Sequence, residues 1–540
     1  MEIETGSESV TQKEQRPPPE PAPAPASGSG SGSTPASTSA VWSESPRGAR
    51  RSPSLRRVLA ASVAGCVVLG GVVVVLRPDA GGKAAPPALG PAGRAMAAAG
   101  AGVPAALPDL TVLIGEREAH LKKHPGDDQS WAVLGAAYVE RGLRTADSAY
   151  YPRAEDALRT SLKTRPEGNA QALTGMAALA NARHDFRGAK KWAQKAVAQA
   201  PKRWSTYPVL IDAYSGLGDA KGVGKALDTL KELNSGTSVM ARAGQVYRDR
   251  GWREDAASKL MDAAALAEGA AEKAACLYRV GELAWERGEP KEALRYYDAA
   301  LRSDPDHHPS LAGKGRALAA LGRTSEALRS YQSALVRQPA PEYALALGEL
   351  YESLRLTPAA RAQYDVLRAR VKQEGVNGVN DERILGLFEA DHGDADEAVD
   401  RLRAEFKRHG SPEAADALGW ALHRAGEDEE ALKYATRATD KGPRIAAFSY
   451  HRGEIERDLE RYGAARRHIG EALLLNPYFS PLLAPKAREA LDSLGDPPEG
   501  GPAEMYAANP PEPPTPPPTT SRPTPKPTAP RSGTSTSQQS

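Results

Sequence analysis

Between Leu277 and Pro339 the sequence repeats itself with a period of 34 residues. Gly281, Ala293, Tyr297, Ala300 and Pro305 return as Gly315, Ala327, Tyr331, Ala334 and Pro339. A fixed period of this length leaves few choices. Each unit is one supersecondary element that cannot bury its own apolar face, so units must stack. Spread outward, the period predicts about ten units. Their first small-residue column reads Gly135, Ala177, Ile211, Gly244, Gly281, Gly315, Gly348, Gly386, Gly419 and Gly453. The second reads Ala154, Ala189, Val223, Ala256, Ala293, Ala327, Ala360, Ala398, Ala431 and Ala465. Glycine makes up only 50 of the 540 residues, so eight glycines in a column of ten do not follow from composition.

The columns describe a pair of short antiparallel helices. Two helices cross closely only where the contact carries little side chain, which sets Gly281 against Ala293. Leu277, Tyr297 and Leu301 fill the space around that contact, and Pro305 ends the unit. Leu110–Lys123 reads as a lone second helix closing at Pro125. Lys486–Leu494 reads as a polar-faced capping helix with Pro485 at its start. Three irregularities stand out: an insertion near Thr145–Tyr151, bulky Ile211 and Val223 in the third unit, and a Gly/Asn loop at 375–380. The eighth unit also lacks the aromatic residue.

Here the chain resembles the tetratricopeptide-repeat family, whose pattern is W-x2-L-G-x2-Y…A-x3-F…P. Trp131, Leu134, Gly135 and Tyr138 match its opening, and Pro166, Pro201, Pro305, Pro339, Pro443 and Pro477 match its closing proline. The resemblance covers residues 109–494 and implies an all-α tetratricopeptide-repeat solenoid wound into a right-handed superhelix. Within it, Leu113–Gly142 looks like the repeat domain of cytochrome c maturation factors.

The flanks read differently. Residues 1–57 are rich in Pro, Ser, Ala and Gly and carry too little apolar material to offset the entropy of ordering, so disorder is expected. Val58–Leu76 is nineteen residues without a charge, the length of one transmembrane helix. Arg47, Arg50, Arg51, Arg56 and Arg57 precede it, which places the N-terminal side in the cytoplasm and the repeats outside. A cleaved signal peptide fits less well, because its apolar run is shorter and its leading segment brief. The lipobox-like Val63–Cys66 is followed by ten further apolar residues. Residues 77–108 read as a flexible stalk. Residues 495–540 read as a disordered Pro/Thr-rich segment, partly polyproline-like.

Chemistry is sparse. A net charge of +2 provides no basic field for nucleic acid. Cys66 and Cys276 have no metal-site or disulfide neighbour. Gly218–Lys225 imitates a phosphate loop, but Ala226 stands where Ser or Thr should hold magnesium, and the stretch falls on a repeat helix. His307 and His308, beside Asp304 and Asp306, read as a solvated loop. No catalytic constellation is present, so the chain reads as a non-enzyme. It implies no metal, no cofactor, no nucleic acid and no small-molecule substrate.

What remains is a concave surface lined by first helices. In the family the groove positions lie three before, one after and four after the small glycine. These are Tyr278, Glu282 and Trp285 in the fifth unit, Asp416, Trp420 and His423 in the ninth, and Tyr450, Glu454 and Arg457 in the tenth. Arg316 and Glu349 occupy the units between. Aromatics flanked by acids suit a protein or peptide partner with basic and apolar side chains. The same spacing equally lets Trp285 and Trp420 pack against the next first helix. Asparagine is absent from the position after the glycine, so the family's clamp for a peptide carboxylate is not implied. The resulting expectation is a single-pass membrane scaffold or adaptor. Its rivals are a chaperone-like assembly factor for a secreted client and a cytoplasmic regulatory scaffold on an inverted anchor.

Overall fold

A computed structural model describes residues 88–440 and 442–495, all of them within the compact unit Ala85–Ser540. The apolar stretch Val58–Leu76 and the Pro/Thr-rich segment lie outside the described residues. Among the described residues there are 23 helices and no strand, and no helix is long and apolar enough to cross a membrane.

The chain enters through α1 (Pro91–Ala101) and α2 (Leu107–Lys123). Ten helix pairs follow. The first five are α3 (Asp128–Thr145) with α4 (Tyr150–Thr164), α5 (Ala170–Ala182) with α6 (Phe186–Gln199), α7 (Thr206–Gly216) with α8 (Ala220–Leu233), α9 (Thr237–Asp249) with α10 (Arg253–Leu266), and α11 (Ala270–Glu286) with α12 (Pro290–Ser303). The second five are α13 (His308–Ala320) with α14 (Thr324–Arg337), α15 (Pro341–Ser353) with α16 (Thr357–Val376), α17 (Glu382–His392) with α18 (Ala395–Arg408), α19 (Pro412–Arg424) with α20 (Asp428–Asp440), and α21 (Ala446–Asp458) with α22 (Tyr462–Leu475). Helix α23 (Leu483–Leu494) closes the array. The ten units read from the period are these ten pairs.

Two boundaries differ from the sequence reading. Part of the presumed stalk is helix α1, which buries Ala92 and Ala95 against α2 and ties Arg94 to Asp109 at 2.5 Å. Alanine-rich sequence looks like a linker by composition, yet alanine is the best helix former. The stretch Leu110–Lys123 is therefore the second member of a pair, not a lone helix. Helix α23 begins at Leu483, ahead of Pro485, which sits in the first turn, where backbone N–H groups have no intrahelical partner.

The small columns act as read, since a Cβ built on Gly419 would lie 3.2 Å from the Ala431 carbonyl oxygen, and in the fifth unit a ring is the nearest neighbour. A Cβ built on Gly281 would come within 2.7 Å of the Tyr297 ring, and one on Gly313 would meet the same ring at 2.7 Å. Tyr297 is fully buried between the two glycines. A glycine lets a flat ring, rather than a methyl group, form the helix crossing.

Successive first helices touch one another, as α3 with α5, α5 with α7 and α17 with α19, so they form the inner wall of the curve. The curve is tight enough for the second five units to lie against the first five. Each turn between the two helices of an early unit meets the loop that follows the unit five places later. Gln338 Nε2 donates to the Leu143 carbonyl at 3.1 Å. The Asn380 backbone N–H donates to the Arg183 carbonyl at 3.1 Å, and Arg253 donates to the Arg444 carbonyl at 2.6 Å. Asn476 Nδ2 donates to the Trp285 carbonyl at 2.8 Å. At the third unit, Gly218 has φ +67°, and a Cβ there would lie 2.5 Å from the Gly410 carbonyl oxygen. The insertion near Thr145–Tyr151 and the 375–380 loop also meet, since Asn377 Nδ2 donates to Ser148 Oγ at 3.0 Å. These two departures from the repeat are one contact between successive superhelical turns.

Candidate functional site

The inner wall of the fifth to seventh units carries Glu282 on α11, Arg316 on α13 and Glu349 on α15, at equivalent places in their repeats. Equivalent places on adjacent helices become neighbours across the stack, so the three form a row of acid, base and acid. The row is unevenly satisfied. Arg316 Nη2 lies 2.5 Å from Glu282 Oε1, and the Tyr297 hydroxyl donates to the same oxygen at 2.7 Å. The Arg316 guanidinium also lies 4.7 Å from the centre of the Trp285 ring, a cation–π contact. Burial pushes the Glu282 carboxyl up, but Arg316, Tyr297 and Arg248 outweigh it and hold it below its ordinary value. Arg248 in turn bonds Glu286 at 2.8 Å.

Glu349 has no such partner. It makes no hydrogen bond or ion pair among the described residues. Burial, followed by the nearby Asp391 and Glu352, pushes its carboxyl up to about 8. It lines a cavity of about 550 Å³ together with Trp285, Arg316 and Tyr331. The opposite wall is Pro477–Pro485 and Arg488, drawn in by the Asn476–Trp285 bond. The site is thus built from two superhelical turns, with first helices on one side and the approach to α23 on the other.

Of the eleven residues read as groove positions, Trp285, Arg316 and Glu349 line this cavity. Glu282 stands behind Arg316. Tyr278 is half-buried beside His307, with ring centres 5.2 Å apart. The other six lie in a seam along α19 and α21. Asp416 is 4% exposed and accepts from His451 at 3.0 Å. Trp420 is 3% exposed, stacks on His451 at 4.2 Å and donates to Asp391 at 3.1 Å. Tyr450 is buried beside Phe479. Glu454 is buried and paired with Arg457 at 2.8 Å, and half-buried His423 pairs with Asp428 at 2.5 Å. Of the two readings left open for Trp420, this is packing against the next first helix.

Of His307 and His308, the second is buried and the first half-buried, so the pair is not an open solvated loop. His308 is 5% exposed, and His307 contacts Ser310 Oγ at 2.9 Å. Burial, with Arg144 next in weight, pushes the His307 imidazole down to about 4. Asp304, read as part of that loop, bonds Arg144 across the turns at 2.9 Å. His423, Asp428 and Asp458 place possible ligand atoms within 4.8 Å of one another, but His423 is engaged by Asp428, and Asp458 lies 3.6 Å from Arg457. Gly218–Lys225 is the Asp219-capped start of α8, with no strand before it. The site residues that the sequence did not mark are Tyr331, Phe479 and Arg488. Tyr331 sat in the aromatic column of a second helix. The other two lie almost two hundred residues from Trp285, beyond any local signal.

The described residues form a helical solenoid whose inner wall frames a cavity of about 550 Å³. Models of the tetratricopeptide repeat match residues 284–372, and also 242–308, 385–443 and 417–481. Over these residues the chain matches the tetratricopeptide repeat, whose family members generally serve as protein-binding scaffolds. A tetratricopeptide repeat and J domain-containing co-chaperone of Fusarium oxysporum f. sp. lycopersici is 43% identical over 79 residues, 14% of this chain and 15% of that protein. The chain thus matches a small part of that relative's length. Among solved structures, the human IFIT1 dimer with PPP-AAAA is 17% identical, with 62% of this chain and 79% of that one covered and a TM-score of 0.40. Yeast Tom70 is 12% identical, with 68% and 97% covered and a TM-score of 0.30.

Proposed function

We propose that this protein is a scaffold or adaptor that holds an extended segment of another protein in the cavity between its two superhelical turns. The observation that carries this reading is the contrast between Glu282, bonded by Arg316 and Tyr297, and Glu349, which faces the cavity alone. A half-buried carboxyl without a counter-charge is an arrangement that an incoming cation relieves. Half-buried Phe479 supplies aromatic surface beside it, backed by the buried rings of Trp285 and Tyr331, the kind of surface that concentrates binding strength. The partner segment accordingly carries a Lys or Arg flanked by apolar side chains. Val58–Leu76 would tether the array to a membrane, with the repeats on the extracytoplasmic side.

The test uses the full-length chain in mild detergent and fluorescent ten-residue peptides, each with one central Lys, Glu or Gln among apolar residues. Lys peptides should bind best, and Glu349→Gln should weaken them at least tenfold without lowering the melting temperature. Equal binding of all three peptides, or indifference to Glu349→Gln, overturns the reading. A chaperone-like holder is the second reading, favoured by the 79-residue similarity to a co-chaperone. It predicts suppression of aggregation of an unfolded client, which a pure adaptor lacks. A topology reporter fused after Ser540 separates both from a cytoplasmic scaffold.

A further inference from the structure

Helix α11 has a second polar residue on the inner wall, three positions before Glu282. Arg279 lines another cavity, of about 540 Å³, framed by the inner helices of the second to fifth units. Its guanidinium makes no hydrogen bond or ion pair among the described residues. The acid nearest at hand, Asp212, is engaged by Arg242, whose Nη2 lies 3.2 Å from Asp212 Oδ2. Asp249, on the same cavity, accepts from Gln245 at 3.0 Å and lies 3.8 Å from Arg248. Burial and then the charge of Arg242 weigh against the protonated form of Arg279. The molecule keeps there, at a cost, a cation that its own acids do not neutralise. Arginine presents five donors in a fixed fork suited to a carboxylate.

We infer that the cavity at Arg279 is a carboxylate-binding site that takes an Asp or Glu side chain of the same partner segment, an inference that rests on the scaffold reading above. The two cavities share α11, with Arg279 lining one and Trp285 the other. Arg279 on α11 and Glu349 on α15 are two inner helices apart. Adjacent packed helices stand about 8–10 Å apart, so the separation is roughly 20 Å. An extended chain covers about 3.3–3.6 Å per residue, so the acid and the base of the partner stand about six residues apart. An even spacing also turns both side chains to the same face of an extended strand.

The experiment compares three peptides on the full-length chain: one with Glu and Lys six residues apart, the same with Glu→Gln, and the same with the Glu–Lys spacing cut to three. The first should bind at least tenfold more tightly than the other two, and Arg279→Gln should erase the advantage while leaving the Gln peptide unchanged. Removing a half-buried, unpaired charge should leave the melting temperature equal or higher, so a large drop in Arg279→Gln would show a structural role and overturn the site. So would equal binding of the Glu and Gln peptides. A probe independent of the peptide is N-acetylglutamate, which should raise the melting temperature of the parent chain but not of Arg279→Gln, with N-acetylglutamine inert in both. That result stands even where Lys peptides fail to bind, so it separates failure of the scaffold reading from failure of the carboxylate site. Identical shifts in parent and variant overturn the site.

Discussion

Asn476 and Trp285 stand 191 residues apart, and the amide of the first donates to the backbone carbonyl of the second at 2.8 Å. Asn476 is 2% exposed, and its other side-chain atom, Oδ1, accepts from the Tyr478 N–H at 2.9 Å. One side chain thus fixes the end of the tenth unit to the fifth and sets the course of the segment that walls the Glu349 cavity. The bond is the last of a series in which each early unit meets the loop five units later, so closure of the superhelix and construction of the site are the same event.

Asn476→Ala should therefore act on both. It leaves the Tyr478 N–H without its acceptor and takes one of two donors from the Trp285 carbonyl, which keeps the Gly288 N–H, a loss of about 1–3 kcal/mol. Chemical denaturation should show the loss, and small-angle X-ray scattering should show a larger radius of gyration. Unchanged values in both would mean that other contacts suffice to hold the two turns.

Two glycines separate local strain from closure. Gly322 has φ +72° with nothing within 4 Å of a built Cβ, so Gly322→Ala should cost only the left-handed penalty of about 1–2 kcal/mol. Gly218 has a similar φ but faces the Gly410 carbonyl oxygen at 2.5 Å. Gly218→Ala should lose a further 1–3 kcal/mol or so, as overpacking does, and should expand the array in scattering. Equal melting temperatures for the two variants would contradict the contact.

Trp420→Ala should be costly for a reason unconnected with binding. The side chain is buried, stacked on His451 and bonded to Asp391. Its truncation should lower stability by about 3–5 kcal/mol, read from urea unfolding. Affinity per folded molecule for the Lys peptide should stay within twofold of the parent, because Trp420 does not line the cavity.

Glu349 makes stability and binding depend on pH in opposite senses. Its carboxyl holds a proton up to about 8 when folded, against an ordinary value near 4.5. Between those values the folded state binds more protons than the unfolded state, so stability falls as pH rises. Glu349→Gln lacks this loss, and its melting temperature relative to the parent should climb from pH 5 to pH 8 and then level. A Lys side chain requires the ionised carboxyl. Lys-peptide affinity should therefore rise over the same range, with proton release visible as a buffer-dependent heat in calorimetry. A flat difference between variant and parent would place the charge elsewhere.

The sequence by itself determined the period, the ten helix pairs, the small and aromatic columns and the positions on the inner wall. All of these follow from interactions spanning 34 residues or fewer: helix propensity, apolar spacing, and the need for glycine where a ring such as Tyr297 crosses. It missed α1 because an alanine-rich helix and a linker share a composition. Only the tertiary structure decided that one turn of the superhelix rests on the next. That depends on a small rotation per unit, accumulated over five units, and no single residue encodes it. The same curvature decided the fate of positions that look equivalent in the repeat. It pressed Trp420, Tyr450 and Glu454 into the seam along α19 and α21, and left Glu349 facing a cavity whose far wall, Pro477–Arg488, arrives from the other end of the array.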